Sequence, residues 1–178
     1  MKTPTLAEKL GDAPHDSPLL RKAERLGLGA EQLEHLAIQR GCDYYHDGTQ
    51  FPPAAINEAE FSNEELAVAL LSCSRRPSPR AIRLAAALIG APEARPDNLA
   101  RLATQENRHG LVRYIAQCGL RFEPENRFWS TLVSLLPEGN VDLDQLPHPT
   151  RFIEMTGIDR GRVGLRTRWI RPRRRAIA

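Results

Sequence analysis

Residues 61–90 read FSNEELAVALLSCSRRPSPRAIRLAAALIG, and this stretch decides the fold class. Ser62 to Glu65 form the Ser-x-x-Glu pattern of a helix N-terminal capping box. Ser78 and Pro79 signal a second helix start, because proline suits the first helical position. The short polar segment between the two helices predicts an antiparallel helical hairpin.

The same pattern continues along the chain to Pro137. Asp97 is expected to cap the next helix, and Gly110 to separate that helix from its successor. Gly119 is expected to close the successor, since glycine tolerates the left-handed residue that ends many helices. ENRFWSTLVSLL then predicts a last helix that ends at Pro137. The sequence therefore predicts an all-α protein.

The helical segments recur at a constant spacing. Leu66 and Leu99 are 33 residues apart, as are Arg80 and Arg113, and Leu132 continues the step from Leu99. The layout resembles HEAT- and tetratricopeptide-type helix pairs in architecture only, because the tryptophan and tyrosine positions of a tetratricopeptide unit are absent. Two arrangements stay open: an irregular bundle of antiparallel hairpins, and a short HEAT-like solenoid.

Composition shifts divide the chain into four regions. Residues 1–41 predict short N-terminal helices, and residues 42–60 predict a strap or linker, because a double proline there opposes helix. Residues 61–137 form the helical-hairpin array, and residues 138–178 form a loosely structured basic arm.

The C-terminal arm carries two different local patterns. RFIEMTG, residues 151–157, predicts a short helix closed by glycine. Residues 162–170 alternate between apolar and arginine side chains, which is the period of a strand. Such a strand is either part of an edge hairpin or an extended arm that lays Trp169 on the body of the protein.

Charge is distributed unevenly over the 178 residues. The formal charge is +3, from 25 Lys and Arg against 22 Asp and Glu. Residues 150–178 hold nine arginines and two acids, a net of +7, whereas residues 1–149 have a net of −4. A basic tail on an acidic body is typical of a region that meets a polyanion, another acidic surface, or the body itself.

The composition favours a cytoplasmic protein in a reducing compartment. No apolar run approaches the roughly 20 residues of a membrane span, and the N-terminus lacks the apolar stretch of a secretory signal. Cys42, Cys73 and Cys118 are odd in number and widely spaced, which argues against a disulfide framework. We expect no membrane partner.

Two clusters contain residues that can ligate metals. Glu106 and His109 have the Glu-x-x-His spacing that is half of a di-iron ligand set, but no second pair completes it within the predicted helices. The other cluster lies within 13 residues and contains His35, Cys42, Asp43, His46 and Asp47. It matches none of the usual zinc spacings, so we expect no metal and no other cofactor.

The sequence is most consistent with a non-enzymatic protein–protein interaction scaffold or adaptor, a subunit of a larger assembly. The alternative is a nucleic-acid or ribonucleoprotein-associated protein that binds the phosphate backbone through residues 162–175. A helical enzyme or metal protein using residues 35–47 is the third interpretation. The expected partner-binding residues are Arg80, Arg113, Arg166, Arg168, Trp169, Arg171, Arg173, Arg174 and Arg175.

Overall fold

The computed structural model describes residues 17–42, 60–139, 141, 144, 146–158 and 165–172. The described chain is mostly helical, which confirms the predicted class. Its α-helices are α1 Pro18–Arg25, α2 Ala30–Gln39, α3 Asn63–Ser72, α4 Pro79–Ile89, α5 Pro96–Gln105, α6 His109–Phe122 and α7 Arg127–Leu135. A 3₁₀ helix, Pro149–Phe152, then leads into the strands β1 Ile153–Ile158 and β2 Leu165–Trp169.

The predicted serine caps of α3 and α4 are present, and Ser17 caps α1 in the same way. Ser17, Ser62 and Ser78 each accept a hydrogen bond from the backbone N–H three residues ahead, at 3.0 to 3.1 Å. Glu65 returns the bond by accepting from the Ser62 N–H at 3.0 Å, which completes the capping box of α3. These short-range bonds satisfy backbone donors that the first turn of a helix leaves open.

The predicted start of α5 is wrong by two residues. The helix begins at Pro96 with Arg95 as its N-cap, so Asp97 lies inside the first turn. Glu64, a buried residue of α3, accepts from the Arg95 N–H at 3.1 Å. The N–H of the N-cap residue is therefore bound by a neighbouring helix, a contact that spacing along the chain does not reveal.

Helix α6 is longer than the sequence predicts. It begins at His109 and runs through both Gly110 and Gly119 to Phe122, so neither glycine marks a boundary. Gly119 faces the buried Trp129 of α7, and a Cβ atom at that position would lie 2.3 Å from the indole. The glycine is thus required by close packing and not by the end of a helix.

Four of the helices form one row. Helices α1, α3, α5 and α7 contact one another in that order, and α2 packs against both α3 and α4. Helix α6 packs against α5 and α7. One hydrophobic core includes buried side chains from Leu19 in α1 to Ile170 after β2. The N-terminal helices therefore share their core with the later ones.

The C-terminal segment forms a β-hairpin on this helical body. The helix predicted over residues 151–157 is wrong, because β1 pairs antiparallel with β2, with Ile153 opposite Trp169. The strand predicted over residues 162–170 is confirmed, since β2 lies within it. Phe152 and Trp169 are both buried, so apolar contact with the helices favours the extended pairing over a local helix.

Candidate functional site

Arg80 and Arg113, two of the expected partner-binding residues, both bind within the chain. The Arg80 Nε atom lies 3.2 Å from Oε2 of Glu34, which joins α4 to α2. Arg113 donates to the carbonyl oxygens of Val133 and Leu136 at 2.7 and 2.6 Å. Each guanidinium therefore ties one helix to another, and Arg113 satisfies carbonyl groups at the end of α7.

Trp169 is inside the protein. Its side chain is 1% exposed, and its indole N–H donates to the Ala86 carbonyl at 2.9 Å. The ring centroid lies 4.9 Å from that of Trp129 and 5.7 Å from that of Phe152. The ring is thus part of a buried aromatic cluster and has no exposed face on which a nucleic-acid base can stack.

Arg171 anchors the residues that follow β2. Its Nε atom donates to the Gly90 carbonyl at 2.7 Å, while Nη1 and Nη2 contact the two Glu123 oxygens at 2.8 and 2.6 Å. Burial raises the pKa of the Glu123 carboxyl, but hydrogen bonds from Arg171, Trp129 and Asn126 outweigh burial and lower the pKa to about 2. This bidentate pair joins the residues that follow β2 to the segment between α6 and α7.

Five other arginines of the arm were expected to contact a partner. Arg168 is exposed on the end of β2. The side chain of Arg166 and the whole of Arg173, Arg174 and Arg175 lie outside the described residues.

The structure describes both residues of one candidate metal cluster and only part of the other. Glu106 caps the end of α5 and His109 starts α6, so the two residues do not share one helix. The Glu106 carboxylate instead accepts from the Leu19 N–H at 3.0 Å. Cys42 is buried, whereas its proposed co-ligands Asp43, His46 and Asp47 lie outside the described residues. The described part of the chain contains no group of three His, Cys, Asp or Glu residues placed to hold a metal ion.

A cleft of about 370 Å³ lies where three connecting segments meet. These segments are the α3–α4 loop, the α5–α6 turn and the chain after α7. We call this cavity the cationic cleft. It is lined by Arg75, Arg76, Pro77, Ile82, Asn107, Arg108, His109, Gly110, Leu111, Gly139, Val141 and Leu146. Three of these residues, Arg75, Arg76 and Arg108, are arginines, and none of the described residues that line the cleft is acidic.

Arg108 holds two walls of the cationic cleft together. Its Nη2 atom donates to the Ser74 carbonyl at 3.2 Å, and Nη1 contacts the Arg75 carbonyl at 3.5 Å. Burial lowers the pKa of Arg108, nearby Glu106 raises it, and the like charge of Arg75 lowers it further. A partly desolvated cation beside a second cation is a setting that an anion stabilises.

The first turn of α6 also lines this cavity. Arg108 is the N-cap of this helix and supplies no side-chain cap, and His109 and Gly110 are its first residues. Gly139 passes close by, since a Cβ atom on it would lie 3.2 Å from the His109 ring. The cleft is therefore narrow at this point, and the N-terminal end of the helix dipole adds to the positive potential of the arginines.

The sequence prediction missed the cationic cleft. Its residues come from three loops, and none belongs to a local motif. One signal was present: Arg75 and Arg108 are separated by 33 residues, the spacing of the apolar repeat. In a repeating array, residues one period apart are brought close together.

No protein-family model, curated protein or solved structure shows significant similarity to this chain. Within the described residues, no helix has both the length and the apolar character needed to span a membrane.

Proposed function

We propose that this protein is a non-enzymatic interaction scaffold, a subunit of a larger assembly, that binds an acidic segment of another protein in the cationic cleft. The single observation that carries the proposal is the convergence of Arg75, Arg76 and Arg108 on one cavity whose described lining has no acid. Complementary charge steers encounter and selects among partners. Arginine suits this role because its planar group binds carboxylates through two parallel bonds.

The packing of the helices supports a scaffold of stacked hairpins. Helices α1, α3, α5 and α7 follow one another in a row, as in a short HEAT-like array. The exposed residues of α7 include Ser130, Thr131 and Ser134, together with Leu135, which is 48% exposed. A mainly polar outer face on the last helix is what a terminal unit of such an array requires. A reducing cytoplasmic setting is part of the proposal, and the free thiols of Cys42, Cys73 and Cys118 are compatible with it.

Binding of a nucleic-acid backbone through the arm is the competing proposal. Exposed Arg168 favours it, and Arg173 to Arg175 are further candidates by sequence. Trp169 and Arg171 weaken it, because both are engaged inside the protein. The indole that would stack on a base and one of the arginines that would bind phosphate are therefore already used in contacts within the protein.

A salt series separates the two proposals. The immobilised full chain is exposed to a labelled glutamate-rich peptide and to a labelled single-stranded RNA of mixed sequence. We expect the peptide to remain bound at moderate salt. Arg76→Glu should lower the affinity for the peptide by about tenfold or more, as for the loss of a charge-assisted contact. Arg127→Glu is the matched control, because Arg127 is exposed on α7 away from the cleft.

Two results would count against the scaffold. One is RNA binding that is tighter than peptide binding and falls steeply with salt, the signature of counterion release from a phosphate backbone. The other is an equal loss of peptide affinity in Arg76→Glu and Arg127→Glu, which would show a non-specific charge effect.

A further inference from the structure

The cationic cleft contains two buried nitrogen atoms whose hydrogen-bonding capacity is unused. Nε of Arg108 and Nδ1 of His109 are both inaccessible, and neither has a hydrogen-bond partner among the described residues. Both residues line the cleft. Buried polar atoms without partners are rare in folded proteins and often mark the place of a missing ion or ligand. Desolvated basic groups in the wall of the cleft are a setting that a bound anion stabilises.

The donors around these atoms belong to separate walls. Arg75 and Arg76 come from the α3–α4 loop, and Arg108 comes from the α5–α6 turn. Gly110, the second residue of α6, also lines the cleft, and the Arg108 side chain does not cap this helix. Donors that converge from different walls suit an acceptor whose oxygens point in several directions.

A phosphoryl group meets this requirement better than a carboxylate. It carries three strongly accepting oxygens arranged around phosphorus and about −1.5 to −2 charges at neutral pH. A carboxylate offers two oxygens in one plane and a single charge. Three guanidinium groups around one cavity therefore match the higher charge and the non-planar acceptor.

The dimensions of the cleft favour a phosphoryl group attached to a chain. Its volume of about 370 Å³ exceeds what one small ion fills, and the apolar side chains of Ile82, Leu111 and Leu146 contribute to its lining. A second groove of about 520 Å³, lined in part by Tyr114 and Gln117, continues from it past Gly110 and Gly139. A peptide main chain can lie along this path while one side chain enters the cleft.

We propose that the cationic cleft binds a phosphorylated serine or threonine side chain of the partner protein. This inference rests on the proposed function, because it specifies the anion that the acidic partner segment presents. Arg75 and Arg76 would bind phosphoryl oxygens in bidentate fashion, while Arg108 would add its positive charge from the wall of the cleft.

The test compares peptides that differ in one group. The full chain is titrated with a phosphoserine peptide, with the same peptide carrying glutamate at that position, and with inorganic phosphate alone. Calorimetry gives the affinities, and amide chemical shifts locate the ligand. We expect the phosphopeptide to bind at least about tenfold more tightly than the glutamate peptide, and the shifts to concentrate at residues 108–111.

Variants connect the binding to the cleft. Arg76→Glu and the milder Arg76→Ala should each remove the preference for the phosphopeptide, while Arg127→Glu should retain it. Arg76 is exposed, so both variants are expected to fold, and circular dichroism checks this. Inorganic phosphate alone should perturb the same amides more weakly, because it lacks the peptide contacts.

Three outcomes would overturn the inference. They are equal affinity for the two peptides, phosphate-induced shifts spread over arginines throughout the surface, and an unchanged preference in Arg76→Glu. If the two peptides bind with equal affinity and both depend on Arg76, the phosphoryl site is wrong but the proposed scaffold for an acidic partner is retained. Binding of neither peptide would contradict both proposals.

Discussion

Gly119 and Trp129 are in such close contact that the glycine has no space for a side chain. A Cβ atom on Gly119 would lie 2.3 Å from Cδ2 of the indole, well inside van der Waals contact. Gly90 stands in the same relation to Trp169, where the distance to Cδ1 would be 2.6 Å. Each buried indole therefore sits against a glycine of the helical body, and the two indoles meet at 4.9 Å between centroids.

Gly119→Ala is expected to destabilise the protein. In an open helix this change gains about 1 kcal/mol of helix propensity, but overpacking a tight core costs about 1–3 kcal/mol. Urea denaturation should therefore show a lower free energy of unfolding. The smaller ring in Trp129→Phe should reduce the cost of the alanine, which a double-mutant cycle measures. A more stable Gly119→Ala protein would refute the close contact.

The Glu123–Arg171 pair is expected to make stability depend on acid pH. The pKa of the Glu123 carboxyl is lowered from 4.5 to about 2 in the folded state, so its stabilising contribution is present above pH 4.5. That contribution is lost as the pH falls towards 2. At neutral pH, Arg171→Ala should lower the free energy of unfolding by about 2 kcal/mol, as for hydrogen bonds to a charged group.

The pH series provides the control for this pair. The stability difference between the unsubstituted protein and Arg171→Ala should narrow between pH 4.5 and pH 2, because the carboxyl becomes protonated in both. Urea midpoints over this range measure the difference. A difference that stays constant down to pH 2 would show that Arg171 acts through packing alone.

Glu106 is expected to hold α1 against the rest of the protein. Its buried carboxylate accepts from the Leu19 N–H at 3.0 Å, across 87 residues of sequence. Glu106→Leu would leave that N–H without its acceptor, at a cost of about 1–3 kcal/mol. Glu106→Gln keeps an acceptor oxygen and should cost less. Hydrogen exchange should show faster exchange in α1 for the leucine variant than for the glutamine variant, and equal protection would contradict this role.

Cys73 is expected to be a poor nucleophile in the folded protein. Burial, followed by the nearby Glu34 carboxylate, raises the pKa of its thiol to about 11. Labelling with a disulfide reagent should be slow at pH 8 and accelerate as the pH rises towards 11. Mass spectrometry of the peptides assigns the labelled cysteine, and the unfolded chain gives the reference rate. Rapid labelling of native Cys73 at pH 8 would contradict this expectation.

The features predicted correctly from the sequence are local ones. The caps at Ser62 and Ser78 were predictable because donor and acceptor lie three residues apart, within one helical turn. Gly119 was misassigned because its reason lies in another helix, at Trp129, and not in its own turn.

The candidate site was less accessible to prediction. Clustered arginines pointed to the arm, but charge along a chain does not show whether Arg171 faces solvent or a half-buried carboxylate such as Glu123. The cationic cleft depends on Arg75 and Arg108 meeting through the fold, and only their repeat spacing gave a signal. A site assembled from loops requires the tertiary structure.

Site-specific photocrosslinking tests the central claim most directly. A photoreactive phenylalanine replaces the exposed Gln117 in the groove that continues from the cleft or, as control, the exposed Ser130 of α7, in the full chain inside its native cells. We predict that position 117 crosslinks to one protein through an acidic or phosphorylated segment, that Arg75→Glu abolishes this adduct, and that position 130 does not give it. Identical adducts from both positions, or nucleic acid crosslinked at position 117, would contradict the claim.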